Sequence, residues 1–176
     1  MTHRGLLTVL GLVVGGISIS TAAFYLGFQG NEADREVHLL PHGYSGAVTI
    51  IVRRPDGTDR RDASGARLYE IPSSGVLLTK FPPNSGNLFE STRQFFYVRP
   101  DGSHERLPFV SQWTANYQKS MTPSQLQAPS VYGFAFGTVE RADSKGRNEY
   151  YEYVVGPLSD SKRLINLREA QPVAKY

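Results

Sequence analysis

The residues of this chain that invite a chemical reading are its histidines, one arginine cluster and a pair of glutamates. His38 and His42 stand four apart, the spacing at which two imidazoles share one helix face and can hold a metal ion. Pro41 and the following glycines speak against a helix there. Extended, the two histidines stand about 13 Å apart at about 3.3 Å per residue, too far to share an ion without a sharp bend. His104 joins no such pattern. The sequence therefore assigns no metal ligand and treats these as polar surface histidines at a strand entry. Arg53, Arg54, Arg60 and Arg61 surround Asp56, Asp59 and Asp62. They could hold an anionic polymer or lipid head group, but interspersed signs read as a solvated, self-neutralising tip. Glu149 and Glu152 are three apart, which on a strand faces them to opposite sides, so they do not make a glycosidase's facing pair. Tyr150, Tyr151 and Tyr153 beside them read as filling of a β-strand. There is no Gly-x-Ser-x-Gly, no His-Glu-x-x-His, no phosphate-binding glycine loop and no cysteine. The sequence names no catalytic residue and no cofactor site.

The chain's beginning says more about place than about chemistry. From Gly5 to Gly30 there is no charged residue and no proline. A helix over 5–28 would span roughly 36 Å at about 1.5 Å per residue, enough for a hydrocarbon core of about 30 Å. His3 and Arg4 precede the run while Glu32, Asp34 and Glu36 follow it, which puts the N-terminus inside and residues 31–176 outside the cytoplasmic membrane. Phe24, Tyr25 and Phe28 read as an interfacial aromatic belt. A competing reading is a signal peptide cleaved near Ala22, after the small residues Ser20 and Thr21. Both readings export the domain. Gly5, Gly11, Gly15 and Phe28 mark the span, and the Gly11-to-Gly15 spacing permits close approach of two membrane helices, or reflects only the commonness of glycine in such helices.

The expected organisation is a cytoplasmic stub at 1–4, a membrane helix at 5–28, a tether at 29–37 and an exported domain at 38–176. That domain is the size of one ordinary fold. With no cysteine it must hold by packing alone. The pI is near 9.2, but a net charge of +3 with mixed signs is no clustered basic face, and nucleic acid is excluded as a partner. Strands are expected at 47–53, 67–71, 76–79, 94–99, 105–110, 131–140 and 149–155, from period-two alternation and β-branched content. Arg54-Pro55-Asp56-Gly57 and Arg99-Pro100-Asp101-Gly102 are each expected to close a hairpin, as is the Asp-Ser-Lys-Gly segment within 142–148. The first of these strands has apolar residues on both faces and is expected to be buried. Thr122-Pro123-Ser124-Gln125 fits a capping box opening a single helical turn. A short helix is expected over 160–170, with Leu164 and Leu167 on one side. These elements predict an all-β sandwich with a short C-terminal helix. The long polar connection 112–130 carries Trp113 and Tyr117, read either as an interaction surface or as a flap whose Trp113 fills a core gap.

Leu40-Pro41-His42-Gly43-Tyr44-Ser45-Gly46-Ala47-Val48, Tyr69-Glu70-Ile71-Pro72-Ser73-Ser74-Gly75, Phe96-Tyr97-Val98 before Gly102, and Val155-Gly156 together resemble an uncharacterised family of small bacterial cell-envelope proteins, often lipoproteins or anchored domains. The likeness covers most of 38–160 and implies a fold and a location but no chemistry. This chain lacks the lipoproteins' cysteine, so its helix would replace the lipid. The opening strand is also similar to transthyretin-like or carboxypeptidase-regulatory β-sandwich modules. The function expected is a non-catalytic, single-pass, membrane-anchored binding module whose partners are the membrane and another envelope protein or polymer. A small exported hydrolase and a purely structural spacer are the alternatives.

Overall fold

The structure, a computed structural model, describes residues 33–84, 92–110, 121–141, 146–170 and 173. The membrane-span positions Gly5, Gly11, Gly15 and Phe28, and the loop residues Trp113 and Tyr117, lie outside them. Among the described residues no helix is long and apolar enough to cross a membrane. The elements below all belong to one compact unit, Asp34–Asn84 with Phe89–Tyr176.

The chain is mostly β, in two sheets. Its strands are β1 (Glu36–Pro41), β2 (Gly46–Ile51), β3 (Arg67–Glu70), β4 (Val76–Leu78), β5 (Arg93–Val98), β6 (His104–Leu107), β7 (Phe109–Val110), β8 (Pro129–Glu140) and β9 (Arg147–Pro157). One sheet has the order β3-β1-β5-β6 and the other β4-β2-β9-β8-β7. From β1 to β4 the chain therefore crosses between sheets at every connection. Among the described residues two α-helices accompany the sheets, α1 (Pro123–Gln127) and α2 (Ser161–Glu169), the second preceded by a 3-10 turn at Leu158–Asp160. The expected capping box opens α1, with Gln125 N–H donating to Thr122 Oγ1 at 3.3 Å and Thr122 N–H to Gln125 Oε1 at 2.9 Å.

One apolar core is shared by both sheets. Leu40, Tyr69, Phe95, Tyr97 and Leu107 come from the first, and Val48, Ile50, Leu77, Val131, Tyr151, Tyr153 and Val155 from the second. A smaller cluster of Ala47, Tyr132, Val154, Leu158 and Leu164 lies on the second sheet's other face. This double cover explains why β2 reads apolar on both faces. Arg168 of α2 locks the helix down, bonding the Gly133 carbonyl at 2.6 Å and pairing with Glu152 at 3.3 Å. Of the two leucines expected on the helix's packed side, Leu164 is buried and Leu167 is exposed.

Three expectations change. β1 begins within the expected tether and is an interior strand, paired in parallel with β3 and β5. Its inward positions are Glu36, His38 and Leu40, so polar groups occupy the side where apolar residues would announce a strand. His38 is accordingly a core residue, 1% exposed, and not a surface histidine. The 105–110 stretch is two strands in different sheets, broken at Pro108, which has no N–H for a ladder. Finally, the Arg99–Gly102 turn closes the β5–β6 hairpin, but the Arg54–Gly57 turn closes none. The segment after it runs as a strap along both sheets: Thr58 bonds Leu78 and Lys80 beside β4, and Arg60 accepts from Leu68 of β3. It covers the open edge of each sheet on that side.

The four sequence motifs meet at the β1–β2 corner. The Tyr44 hydroxyl donates to the Ala47 carbonyl at 2.5 Å, and the Tyr97 hydroxyl donates to the Tyr44 carbonyl at 2.6 Å. Gly75 sits against this corner with φ +76°, and a Cβ there would lie 2.2 Å from Tyr44 Oη and 2.4 Å from the Ala47 oxygen. A Cβ on Gly156 would lie 2.8 Å from Ser45 Oγ and 2.6 Å from Leu164. The Gly75→Ala variant is expected to lose about 2–4 kcal/mol, since it combines left-handed backbone strain with overlap on a backbone oxygen. Urea unfolding of both proteins measures this.

Candidate functional site

The parallel registers of β1 assemble a buried polar cluster. Glu36 stands between Arg67 of β3 and Arg93 of β5, and His38 between Tyr69 and Phe95. Glu36 Oε2 accepts from Arg93 Nε at 3.0 Å and Oε1 from Asn84 Nδ2 at 2.8 Å. Asn84 also ties down Asp34, accepting from its N–H at 2.9 Å and donating to its carbonyl at 2.8 Å. Asp34 in turn takes Arg67 at 2.8 Å and Arg61 at 3.0 Å. Both of these guanidinium groups lie over the Phe81 ring, at 5.0 and 5.1 Å from its centroid.

His38 Nδ1 lies 3.1 Å from the Tyr153 hydroxyl and Nε2 lies 3.5 Å from Glu36 Oε2. The Glu36 carboxylate can only accept, which places the imidazole hydrogen on Nε2 and leaves Nδ1 to accept from the Tyr153 hydroxyl, kept protonated by burial. The ring packs on Phe95 at 4.5 Å and against Tyr69 at 4.9 Å. Burial lowers the His38 pKa, with the Arg93 charge adding to it against the pull of Glu36. For Glu36 burial works upward, but His38, the Arg93 charge and the Asn84 hydrogen bond outweigh it and the pKa falls. The pair is thus a neutral imidazole beside a carboxylate, both 1% exposed. Its carboxylate holds Arg93 through the Nε hydrogen bond.

Arg93, its side chain only 9% exposed, links this cluster to a groove. Its guanidinium lies 4.0 Å from the Phe134 ring centroid, and it lines an open groove of about 560 Å³ where the chain leaves β6 and crosses at Pro108 to β7. Of the apolar residues along the groove only Phe109 is partly exposed; it stacks at 5.5 Å on Phe95, which with Leu107 is buried in the core. Gln94 and Arg106 give it polar wall. The Arg106 side chain is exposed on the outer face, beside Phe96 in the ladder, and makes no ion pair or hydrogen bond with the other described residues. Arg93 and Arg106 line this groove from opposite faces of the β5–β6 pair, with no described carboxylate among the lining residues.

The residues singled out in the sequence are placed elsewhere. His42 is exposed with its ring 5.9 Å from Tyr97, and His104 lies 5.8 Å from Phe96. Among the described residues no three His, Cys, Asp or Glu are grouped to hold a metal ion. The arginine cluster is paired off: Arg53 with Glu149, Arg54 with Asp56, Arg60 with Glu70 and Arg61 with Asp34. It is self-neutralising, though three of the four partners lie outside the tip. Glu149 and Glu152 do face opposite sides, pairing with Arg53 and Arg168. Sequence reasoning passed over Glu36, Arg93 and Arg106 as site residues and took the buried His38 for a surface histidine. The signal available was the Glu-x-His alternation entering Leu40-Pro41.

Residues 32–152 match the model of a family of unknown function, DUF6843, and the chain belongs to that family. No curated protein matches it. Among solved structures, the crystal structure titled "Putative Lipoprotein from Bacillus anthracis" aligns with a TM-score of 0.47 and 12% identity, over 72% of this chain and 71% of that one.

The pKa directions set a pH dependence. Both groups have folded pKa values below their unfolded ones, so the unfolded state binds protons first as pH falls. The stability from His38 is complete above its ordinary value of 6.5 and that from Glu36 above 4.5; each is lost as pH drops toward the folded value. Urea midpoints should therefore fall between pH 7.5 and 5.5, and the His38→Gln variant should lose that slope while keeping the steeper decline below pH 4.5. An unchanged slope in the variant would assign the effect elsewhere.

Proposed function

We propose that this member of a family of unknown function is a membrane-anchored, extracytoplasmic β-sandwich that binds another envelope component without catalysis, and that the groove at the β6–β7 corner is its binding surface. The anchor rests on the uncharged, proline-free run from Gly5 to Gly30. The sandwich reading is supported by two sheets sharing one apolar core.

The observation that carries the binding role is the setting of Arg93. Its Nε is committed to Glu36 at 3.0 Å and its plane lies on Phe134, so a guanidinium is held in one orientation at a groove before any ligand arrives. Preorganisation of this kind lowers the ordering cost of binding. An exported hydrolase built on the Glu36–His38 pair would need substrate to reach side chains that are 1% exposed, which favours the binding role.

Two measurements test the proposal on the full-length protein in host membranes. Carbonate extraction with intact mass should leave full-length protein in the pellet; soluble protein shortened by about 22 residues would replace the anchor with a secreted form. A photocrosslinking side chain at Gln94, in the groove, should give a light-dependent adduct that the same group at the exposed Glu169 of α2 does not give. Equal adducts from both positions, or none from Gln94, would remove the groove as the binding surface.

A further inference from the structure

We infer that this chain pairs with a second copy of itself through the outer face of the β3-β1-β5-β6 sheet, both copies rising from one membrane. The inference rests on the β6–β7 corner being the binding surface, because Gln94 and Arg106 of its groove lie on this face. The first support is that the face is apolar and uncovered. The ladder registers gather Leu68, Val37, Leu39, Phe96 and Val98 on it, pointing away from the core, and all five are part-exposed. Both α-helices spend their apolar residues on the second sheet's outer face, through Leu126 and Leu164; no described helix covers the first. A contiguous apolar patch with a polar rim marks an interaction site.

The second support is that the face complements itself. One row across the sheet reads Glu70, Leu39, Phe96, Arg106, with an acid at one edge, a base at the other and apolar residues between. A two-fold axis parallel to the strands, passing between β1 and β5, reverses this row in the facing copy. Leu39 then meets the partner's Phe96, and Glu70 meets the partner's Arg106. Arg106 thereby gains a carboxylate that it lacks among the described residues of its own chain. Glu70 already takes Arg60 of the strap, and its two oxygens leave lone pairs for a second guanidinium. Sheets stack face to face with their strands nearly aligned, and a two-fold contact of this kind closes on itself. Because the axis runs along the strands, both copies enter β1 from the same end, as two chains anchored in one membrane must.

Area decides where the pair forms. Four strands about 4.8 Å apart and three rows about 6.7 Å apart offer roughly 400 Å² per copy. That is about half of the roughly 800 Å² per partner in a stable interface. Such a contact is too small to hold two free chains together, and anchorage in a shared membrane supplies the effective concentration it needs.

The test is therefore made in host membranes, with two differently tagged full-length copies that each carry the photocrosslinking side chain at Gln94. The expected adduct contains both tags and has twice the chain's mass of 19.5 kDa. Arg106→Glu and Glu70→Arg should each lower its yield at least about fivefold, because like charges then face each other. The double variant Glu70→Arg/Arg106→Glu should restore most of the yield, a rescue that loss of folding in a single variant would not show. An adduct that joins one tagged copy to a different protein keeps the corner as the binding surface and overturns self-pairing. No adduct from Gln94 removes both. A two-tag adduct indifferent to the charge changes, or a double variant no better than the singles, places the contact elsewhere and overturns the inference.

Discussion

A carboxylate inside an apolar core is the constraint around which this structure is arranged. Glu36 points inward from an interior strand and is 1% exposed. A buried charge without compensation costs several kcal/mol, so its surroundings have to answer it. They do so with Arg93, Asn84 and a neutral His38, drawn from three parts of the chain. Each of those partners is then constrained in turn. Asn84 binds Asp34, Asp34 binds Arg61 and Arg67, and His38 meets Tyr153 across the core. The network reaches both sheets. One buried charge thus orients the arginine that faces the groove.

A second organising point is the corner where β1 turns into β2. Strands that switch sheets at every connection need tight, well-specified bends, and here Tyr44 supplies one. It accepts a hydrogen bond from Tyr97 and donates to Ala47, and Gly75 and Gly156 leave the room that the corner requires. The motifs scattered through the sequence are therefore one structural unit. Their work is architectural, consistent with motifs that imply a fold and no chemistry.

The two sides of the domain treat their sheet edges differently. On the β3–β4 side the strap from Arg53 to Asp62 covers both edges with backbone hydrogen bonds, and its arginines are neutralised by fixed partners. On the β6–β7 side the chain breaks at Pro108 and leaves a groove with an uncommitted guanidinium. Sealed edges protect against unwanted pairing.

What the sequence determined by itself is what nearest neighbours decide. The β-branched runs became strands, Thr122 and Gln125 capped their helical turn, Pro100-Asp101-Gly102 closed a hairpin, and Glu149 and Glu152 parted to opposite faces. Each depends on residues a few positions apart. What only the tertiary structure decided depends on partners far along the chain. β1 is hidden as a strand because its inward residues are polar, and they are tolerable there only because Arg93 lies 57 positions away and Tyr153 115 positions from His38. The Arg54–Gly57 turn was legible, but whether it joined two paired strands was not, because pairing order is settled by long-range packing. The groove has the same origin. Arg93 and Arg106 are ordinary charges on the page until parallel pairing of β1 with β5, and the crossing at Pro108, set one on Glu36 and leave the other unpaired.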